Sequence, residues 1–129
     1  MTAIQRIDPG PILSEAVVHN GVVYLAGQVS TSGAREVGSQ TREVLAAIDA
    51  LLARVGSDKS RILRAQVFLA DMADYNGMNA VWEQWVAPGQ APARATVQAA
   101  LAKPQWRWRS WSPRQLIAEE LPAAILQRG

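Results

Sequence analysis

Val17-Val18-His19-Asn20-Gly21-Val22-Val23-Tyr24-Leu25 sets two β-branched runs on either side of Asn-Gly, the strongest short-range hairpin signal a sequence offers. Asn and Gly accept the positive φ angles of a type I′ turn, whose twist matches the strands it joins. Upstream, residues 3–7 alternate enough for a short strand, which Asp8-Pro9-Gly10-Pro11 is expected to break. Downstream the period changes. Over residues 40–54 the apolar Val44, Leu45, Ile48, Leu51 and Leu52, followed by Val55, recur at helical spacing. Ser39 is the expected N-cap, and Gly56 the left-handed residue that ends the helix. Residues 62–69 are dense in aliphatics and read as a strand. A second helix follows, capped by Asp71 or Asp74, with Tyr75, Met78, Val81 or Trp82, and Trp85 as its apolar stripe. Pro88-Gly89 stops it, and residues 95–101 read as a further strand.

The order β-ββ-α-β-α-β, with a tail, predicts an α+β two-layer sandwich whose two helices cover one face of the sheet. The uncovered face needs a partner. For so short a chain a second copy of itself is the simplest cover, which predicts an oligomer.

At 129 residues, with 49% hydrophobic and 19% charged residues, the composition is that of one globular domain, neither disordered nor fibrous. No apolar run approaches the roughly 18–20 residues of a membrane span, and the start lacks a signal-peptide core. With no cysteine there is no disulfide, thiol nucleophile or zinc-thiolate site, so a cytoplasmic address is expected. The sequence pI is near 9.5 but the net charge is only +2. Much of the basic excess sits at Lys103, Arg107, Arg109, Arg114 and Arg128, and the chain before Lys103 is close to neutral. A primary nucleic-acid role is therefore not favoured, since such a domain spreads basic charge over a whole face.

Many familiar sites are excluded. The single histidine, His19 beside the hairpin turn, supports no catalytic triad and no metal cluster, and a solvated strand end is its expected place. Gly27 and Gly33 are isolated, so no phosphate-cradling loop is present. Asp71 and Asp74 stand where caps belong, and Trp82 and Trp85 at helical spacing read as core. One basic residue stands out: in Ala91-Pro92-Ala93-Arg94-Ala95-Thr96-Val97, Arg94 opens a predicted strand among small neighbours. Its rigid fork of donors pairs two at a time with a carboxylate. By residue chemistry alone a structural salt bridge is the commoner role, and the small neighbours leave room for a ligand instead.

Three segments resemble the RidA/YjgF family, also described as endoribonuclease L-PSP or translation inhibitor. Tyr24-Leu25-Ala26-Gly27-Gln28-Val29 is similar to its strand ending in Ser-Gly-Gln. Leu69-Ala70-Asp71-Met72-Ala73-Asp74-Tyr75 with Met78-Asn79-Ala80-Val81-Trp82 is similar to its Leu-x-Asp-x-x-Asp-Phe…x-Asn-x-x-Tyr/Trp segment, and Ala91-Pro92-Ala93-Arg94-Ala95 to its Pro-Ala-Arg signature. The resemblance runs in register from about Ser14 to Trp106. It implies a chorismate-mutase-like fold with a mixed sheet, assembled as a homotrimer around a central barrel with clefts between subunits. It also implies cofactor-free, metal-free hydrolysis of reactive enamines and imines, such as 2-aminoacrylate, to 2-keto acids and ammonia. Carried onto this chain, Arg94 would clamp the substrate carboxylate, backbone around Gly27 and Thr96 would line the pocket, and Asn79 would lie near the cleft.

The chain departs from that pattern in three places. Leu13 stands where the family has a pocket tyrosine and Ala26 where it has a serine, so two hydroxyls are lost. After Trp106 the family's last strand, with its glutamate, is replaced by Arg107-Trp108-Arg109-Ser110-Trp111-Ser112-Pro113-Arg114, which puts Arg109 about where the glutamate belongs. Residues 1–106 thus read as the family domain and 107–129 as a divergent or frameshifted tail. Tryptophan has one codon, so the tail can be partly back-translated. Skipping two nucleotides after Trp106, with AGA or AGG for Arg109, lets the shifted frame read Val-Glu-Ile or Val-Glu-Val and then Val-Val. A divergent tail would instead form a new strand around Trp106 and Trp108, with a helix or disordered end over 116–126 broken by Pro122. The expected function is imine deamination. The alternatives are a non-catalytic trimer binding a small carboxylate, such as a keto acid, and an endoribonuclease.

Overall fold

The computed structural model describes residues 3–101 together with the backbone of residues 108–116. The strands are β1 (Gln5–Pro9), β2 (Ser14–His19), β3 (Val22–Leu25), β4 (Gln28–Val29), β5 (Ile62–Leu69), β6 (Ala93–Gln98) and β7 (Trp108–Leu116). The helices are α1 (Val37–Arg54) and α2 (Tyr75–Trp85). The expected basic positions Lys103, Arg107 and Arg128, and any element over 117–126, lie outside the described residues.

The hairpin forms as its sequence predicts. Val18 faces Val23 and His19 faces Val22, leaving a two-residue turn in which Asn20 and Gly21 have φ of 52° and 76°. His19 is not a freely solvated strand end: it is half-buried, and its Nδ1 is buried without a hydrogen-bond partner. β1 extends past its predicted break, because Pro9 pairs with Ser14 at a sheet edge, where a missing N–H costs no ladder bond. The turn comes instead at Gly10, whose N–H donates to Leu13 O at 2.8 Å.

α1 begins earlier than its apolar period. Glu36 is the N-cap, and Ser39 lies inside the first turn, where its hydroxyl donates to Glu36 Oε1 at 3.0 Å. The first turn is held by Gln40, whose N–H reaches Glu36 O and whose side-chain amide reaches Ala34 O at 2.8 Å. At the other end Gly56, with φ of 78°, donates to Ala53 O and Ser57 donates to Leu52 O, a Schellman closure that needs the left-handed residue. Before α2, Asp71 caps not the helix but a 3-10 turn over Met72–Asp74, accepting from Ala73 N at 2.9 Å. Asp74 is the N-cap residue of α2, and its side chain makes no capping hydrogen bond to the helix.

The strands form one mixed sheet in the order β1-β2-β3-β7-β5-β6, with β4 also on β7. β5 and β6, joined through α2, run parallel, and the other pairs are antiparallel. β6 starts at Ala93 rather than 95, because its register with β5 begins at Arg64–Ala93. Alternate residues of the sheet, Ala16, Val23, Leu25, Ala65, Val67 and Leu69, are buried in one cluster with Val44, Leu45, Ile48 and Leu52 of α1 and Met78 and Trp82 of α2. The helices thus cover one sheet face. A methyl group added at Gly77 would come within 2.7 Å of Val37 Cγ1, so α2 approaches α1 where only glycine fits. On the opposite face Tyr24 and Val97 are exposed at 38% and 43%.

Candidate functional site

Arg94 is placed by β6. Its register with Ala65 puts it on the helix-covered side of the sheet, at the sheet's edge strand. There its guanidinium meets α2. Cζ lies 5.0 Å from the centre of the Trp82 ring and 5.8 Å from that of Tyr75. Nη2 donates to the Tyr75 hydroxyl at 3.3 Å, and Nη1 lies 3.9 Å from Met78 Sδ. Residues 75, 78 and 82 share one face of α2 by helical spacing, so about two turns of helix supply the whole seat.

Among the described residues Arg94 has no ion pair, whereas Arg42 pairs with Glu36 and Arg54 with Asp8. The structural salt bridge that residue chemistry alone favours is therefore not found among them. Among the described residues the neighbours of this half-buried cation are aromatic faces, a thioether and one phenol, none of which carries a compensating charge. Cation–π contact stabilises the guanidinium without using up its N–H groups. Of five N–H donors two are directed at Tyr75 and Met78, which leaves three, and a carboxylate needs two.

Thr96 lies two residues further along the same strand, on the same side of the sheet, in register with Val67. Its Oγ1 is buried and has no hydrogen-bond partner among the described residues. Asn79 is half-buried on α2, one turn after Tyr75. Arg94, Thr96 and Asn79 therefore form one group around β6 and α2.

Leu13, Ala26 and Gly27 form another. Leu13 is 54% exposed in the β1–β2 turn. Ala26 donates its N–H to Glu15 O at 2.9 Å, while the Gln28 side chain donates to Ala26 O at 3.1 Å and to Glu15 Oε1 at 3.4 Å. This group offers backbone and amide polar atoms, and Ala26 contributes only a methyl. The two groups are not brought together within one chain. Gln28, Ser110, Val67 and Thr96 stand in one row across β4, β7, β5 and β6. Three strand spacings separate Gln28 from Thr96, about 14 Å, far more than a small carboxylic acid spans.

Tyr75, Met78 and Trp82 were legible only as an apolar stripe, yet they form the seat of Arg94. The available signal was the tyrosine at position 75, a hydroxyl on a helix face otherwise made of core residues. The carboxylates with perturbed titration lie elsewhere: Glu43 is held below the usual range by hydroxyls of Ser32 and Ser30, Asp58 by Ser60, and Asp8 by Arg54. No group of three or more metal-ligating side chains occurs among the described residues, and no helix there is long and apolar enough to cross a membrane.

Residues 3–108 match the family described as Endoribonuclease L-PSP. A RutC family protein of Haemophilus ducreyi is 50% identical over 104 residues, covering 81% of this chain and 89% of that protein. The RutC family protein YoaB of Escherichia coli K12 is 44% identical over 104 residues, covering 81% and 90%. Among solved structures, a YjgF-family protein from Neisseria meningitidis superposes with a TM-score of 0.87 at 42% identity, over 92% of this chain and 98% of that one.

Proposed function

The chain belongs to the endoribonuclease L-PSP family, and from that membership we propose a cofactor-free deaminase of reactive enamines and imines. In this reading it acts as a homotrimer closed around a central barrel, with the reaction in clefts between copies. The observation that carries it is Arg94, seated on Trp82 and Tyr75 with donors to spare and no ion pair among the described residues. A small acid bearing an imine, of the 2-aminoacrylate type, meets that charge with its carboxylate.

The separation of the two residue groups favours a cleft shared between copies. Gly27, Ala26 and Leu13 of one subunit would complete the site around Arg94, Thr96 and Asn79 of the next. The exposed Tyr24 and Val97, on the sheet face without helices, supply apolar surface for that association. In the reaction, the enamine first tautomerises to an imine. Water then adds to the imine carbon, forming a C–O bond as the π pair moves to nitrogen. After proton transfer the C–N bond breaks, ammonia leaves and the 2-keto acid remains. An imine is already electrophilic, so holding it beside one water supplies much of the acceleration.

Leu13 and Ala26 favour a second reading, in which the cleft binds a keto acid without turnover, since neither side chain can hold or move a proton. Ammonia release from enzymatically generated iminopyruvate tests both. The deaminase reading expects a rate above buffer that falls at least about tenfold in Arg94→Ala, the loss of a charge-assisted carboxylate contact. No such rate, with 2-ketobutyrate still bound by the wild type and not by Arg94→Ala, gives the binding trimer. Absence of both sinks the carboxylate site. RNA cleavage that survives in Arg94→Ala would instead point to a ribonuclease acting away from this cleft. A stable monomer in sedimentation would contradict the shared cleft.

A further inference from the structure

Tyr75 has a role that an apolar-stripe residue does not explain. Its ring packs against the core cluster, as the helical period predicts, but its hydroxyl leaves the core to accept from Arg94 Nη2 at 3.3 Å. In the family motif that the segment resembles, this position is a phenylalanine, which packs equally well and bonds nothing. We infer that Tyr75 is a positioning residue for Arg94: its hydroxyl fixes the rotation of the guanidinium and turns the remaining N–H pair toward the ligand carboxylate.

The aromatic contacts alone cannot do this. Trp82 and Tyr75 attract the cation through their ring faces, an interaction that tolerates rotation of the guanidinium about its Cδ–Nε and Nε–Cζ axes. The Met78 thioether, 3.9 Å from Nη1, is a weak acceptor and a flexible one. The Tyr75 oxygen is the one oxygen acceptor that Arg94 has among the described residues, so it is what distinguishes one orientation from the others. The acceptor also leaves the phenolic proton unspent, because the hydroxyl has no acceptor of its own among those residues. Among the described residues around β6 and α2, the donors without acceptors therefore include three N–H groups of Arg94, the O–H of Tyr75 and the buried O–H of Thr96. Such a set suits a ligand rich in acceptors and poor in donors. A 2-keto acid, with a carboxylate beside a carbonyl oxygen, has that chemistry, and a neutral amide or an amine does not.

This inference rests on the carboxylate reading of Arg94 for its ligand, but not for the orientation of the guanidinium, and two measurements keep the two apart. The first needs no ligand: nitrogen-15 NMR of the arginine side chains, comparing wild type with Tyr75→Phe. The Arg94 Nη2 group should rotate slowly in the wild type and at least about fivefold faster in Tyr75→Phe, as expected for loss of one hydrogen bond. Equal rotation in the two proteins overturns the positioning role, whatever the ligand. The second is calorimetric binding of 2-ketobutyrate and of its neutral amide. Tyr75→Phe should weaken the acid by about fivefold to tenfold and leave the amide and the thermal midpoint nearly unchanged. Equal weakening of acid and amide, or a lowered midpoint that accounts for both, would make Tyr75 a packing residue and overturn the inference. If the wild type binds no keto acid while the NMR difference is present, the carboxylate reading fails and the orientation of Arg94 by Tyr75 stands.

Discussion

β5 and β7 lie side by side in the interior of the sheet, each paired on both edges, yet they arrive there for different reasons. β5 reads Ile62-Leu63-Arg64-Ala65-Gln66-Val67-Phe68-Leu69, with Ala65, Val67 and Leu69 buried at alternate positions. Its period of two and its β-branched content would make it a strand in any sheet with one covered face. β7 reads Trp108-Arg109-Ser110-Trp111-Ser112-Pro113-Arg114-Gln115-Leu116. Ser110 stands in register with the buried Val67, and Gln115 with the buried Val23 and Ile62. Between the Arg64–Arg114 and Gln66–Trp111 pairs β7 carries one residue more than β5, and Pro113 falls in that bulge. A proline there gives the ladder no N–H.

β7 is therefore a strand by position rather than by pattern. Without it the facing edges of β3 and β5 would leave rows of backbone donors and acceptors unmet in the middle of the domain. Backbone groups are the same in every residue, so almost any chain in that gap satisfies them. What side chains add is packing, and a sequence with Ser110, Ser112 and Gln115 offers few aliphatic groups for it. The match to the family ends at residue 108, the first residue of β7.

The sharpest way to break this contrast is to remove side chains from both strands. Leu69→Ala, at a fully buried position of β5, should cost about 3–4 kcal/mol in urea unfolding. Ser110→Ala in β7 should cost under about 0.5 kcal/mol, since it removes a hydroxyl and no aliphatic group. Comparable losses would mean that β7 contributes to the core as β5 does.

A smaller effect runs the other way. Ser110→Val together with Pro113→Val should raise stability by about 1–2 kcal/mol, from aliphatic burial and a restored ladder donor. If the tail is a frameshift product, sequencing the coding DNA will find a single-base change that restores an aliphatic strand with a glutamate near position 109. Failure to find one leaves a divergent tail, and no gain from the double variant would remove the mismatch argument as well.

The smallest effect lies away from the sheet's centre. Glu43 on α1 accepts from Ser30 Oγ at 2.8 Å and Ser32 N at 3.2 Å, and also from Ser32 Oγ, tying down the chain after β4. These bonds lower its carboxyl below the ordinary 4.5, so the unfolded chain takes up a proton there more readily than the folded one. The stabilisation is present in full above that ordinary value and is lost as pH falls through the lower folded one. Glu43→Gln should therefore narrow the difference in urea midpoint between about pH 6 and about pH 3, with a modest effect at neutral pH. An unchanged acid limb would show that the bonds do not persist in solution.

Much of this was legible in the chain. Val44, Leu45, Ile48, Leu51 and Leu52 are all buried, as their spacing requires, and Asn20-Gly21 makes the turn it predicts. The misreadings sit at boundaries, where one residue can serve two elements. Ser39 has a cap's chemistry, but Gln40 bonds back to Glu36 and Ala34 and draws the helix start forward. Arg94 was legible as a candidate through its motif, whereas its seat was not, because Tyr75, Met78 and Trp82 carry the same period whether they face only core or a cation as well.

The sequence by itself determined the hairpin, both helices, β5 and the family, because each rests on a period or turn chemistry contained within about a dozen neighbouring residues. Only the tertiary structure decided that 108–116 occupies the centre of the sheet, that β6 lies parallel on β5, and that Leu13, Ala26 and Gly27 stand apart from Arg94, Thr96 and Asn79. Those outcomes depend on which distant backbone edges must be satisfied together, and a local pattern carries no record of them.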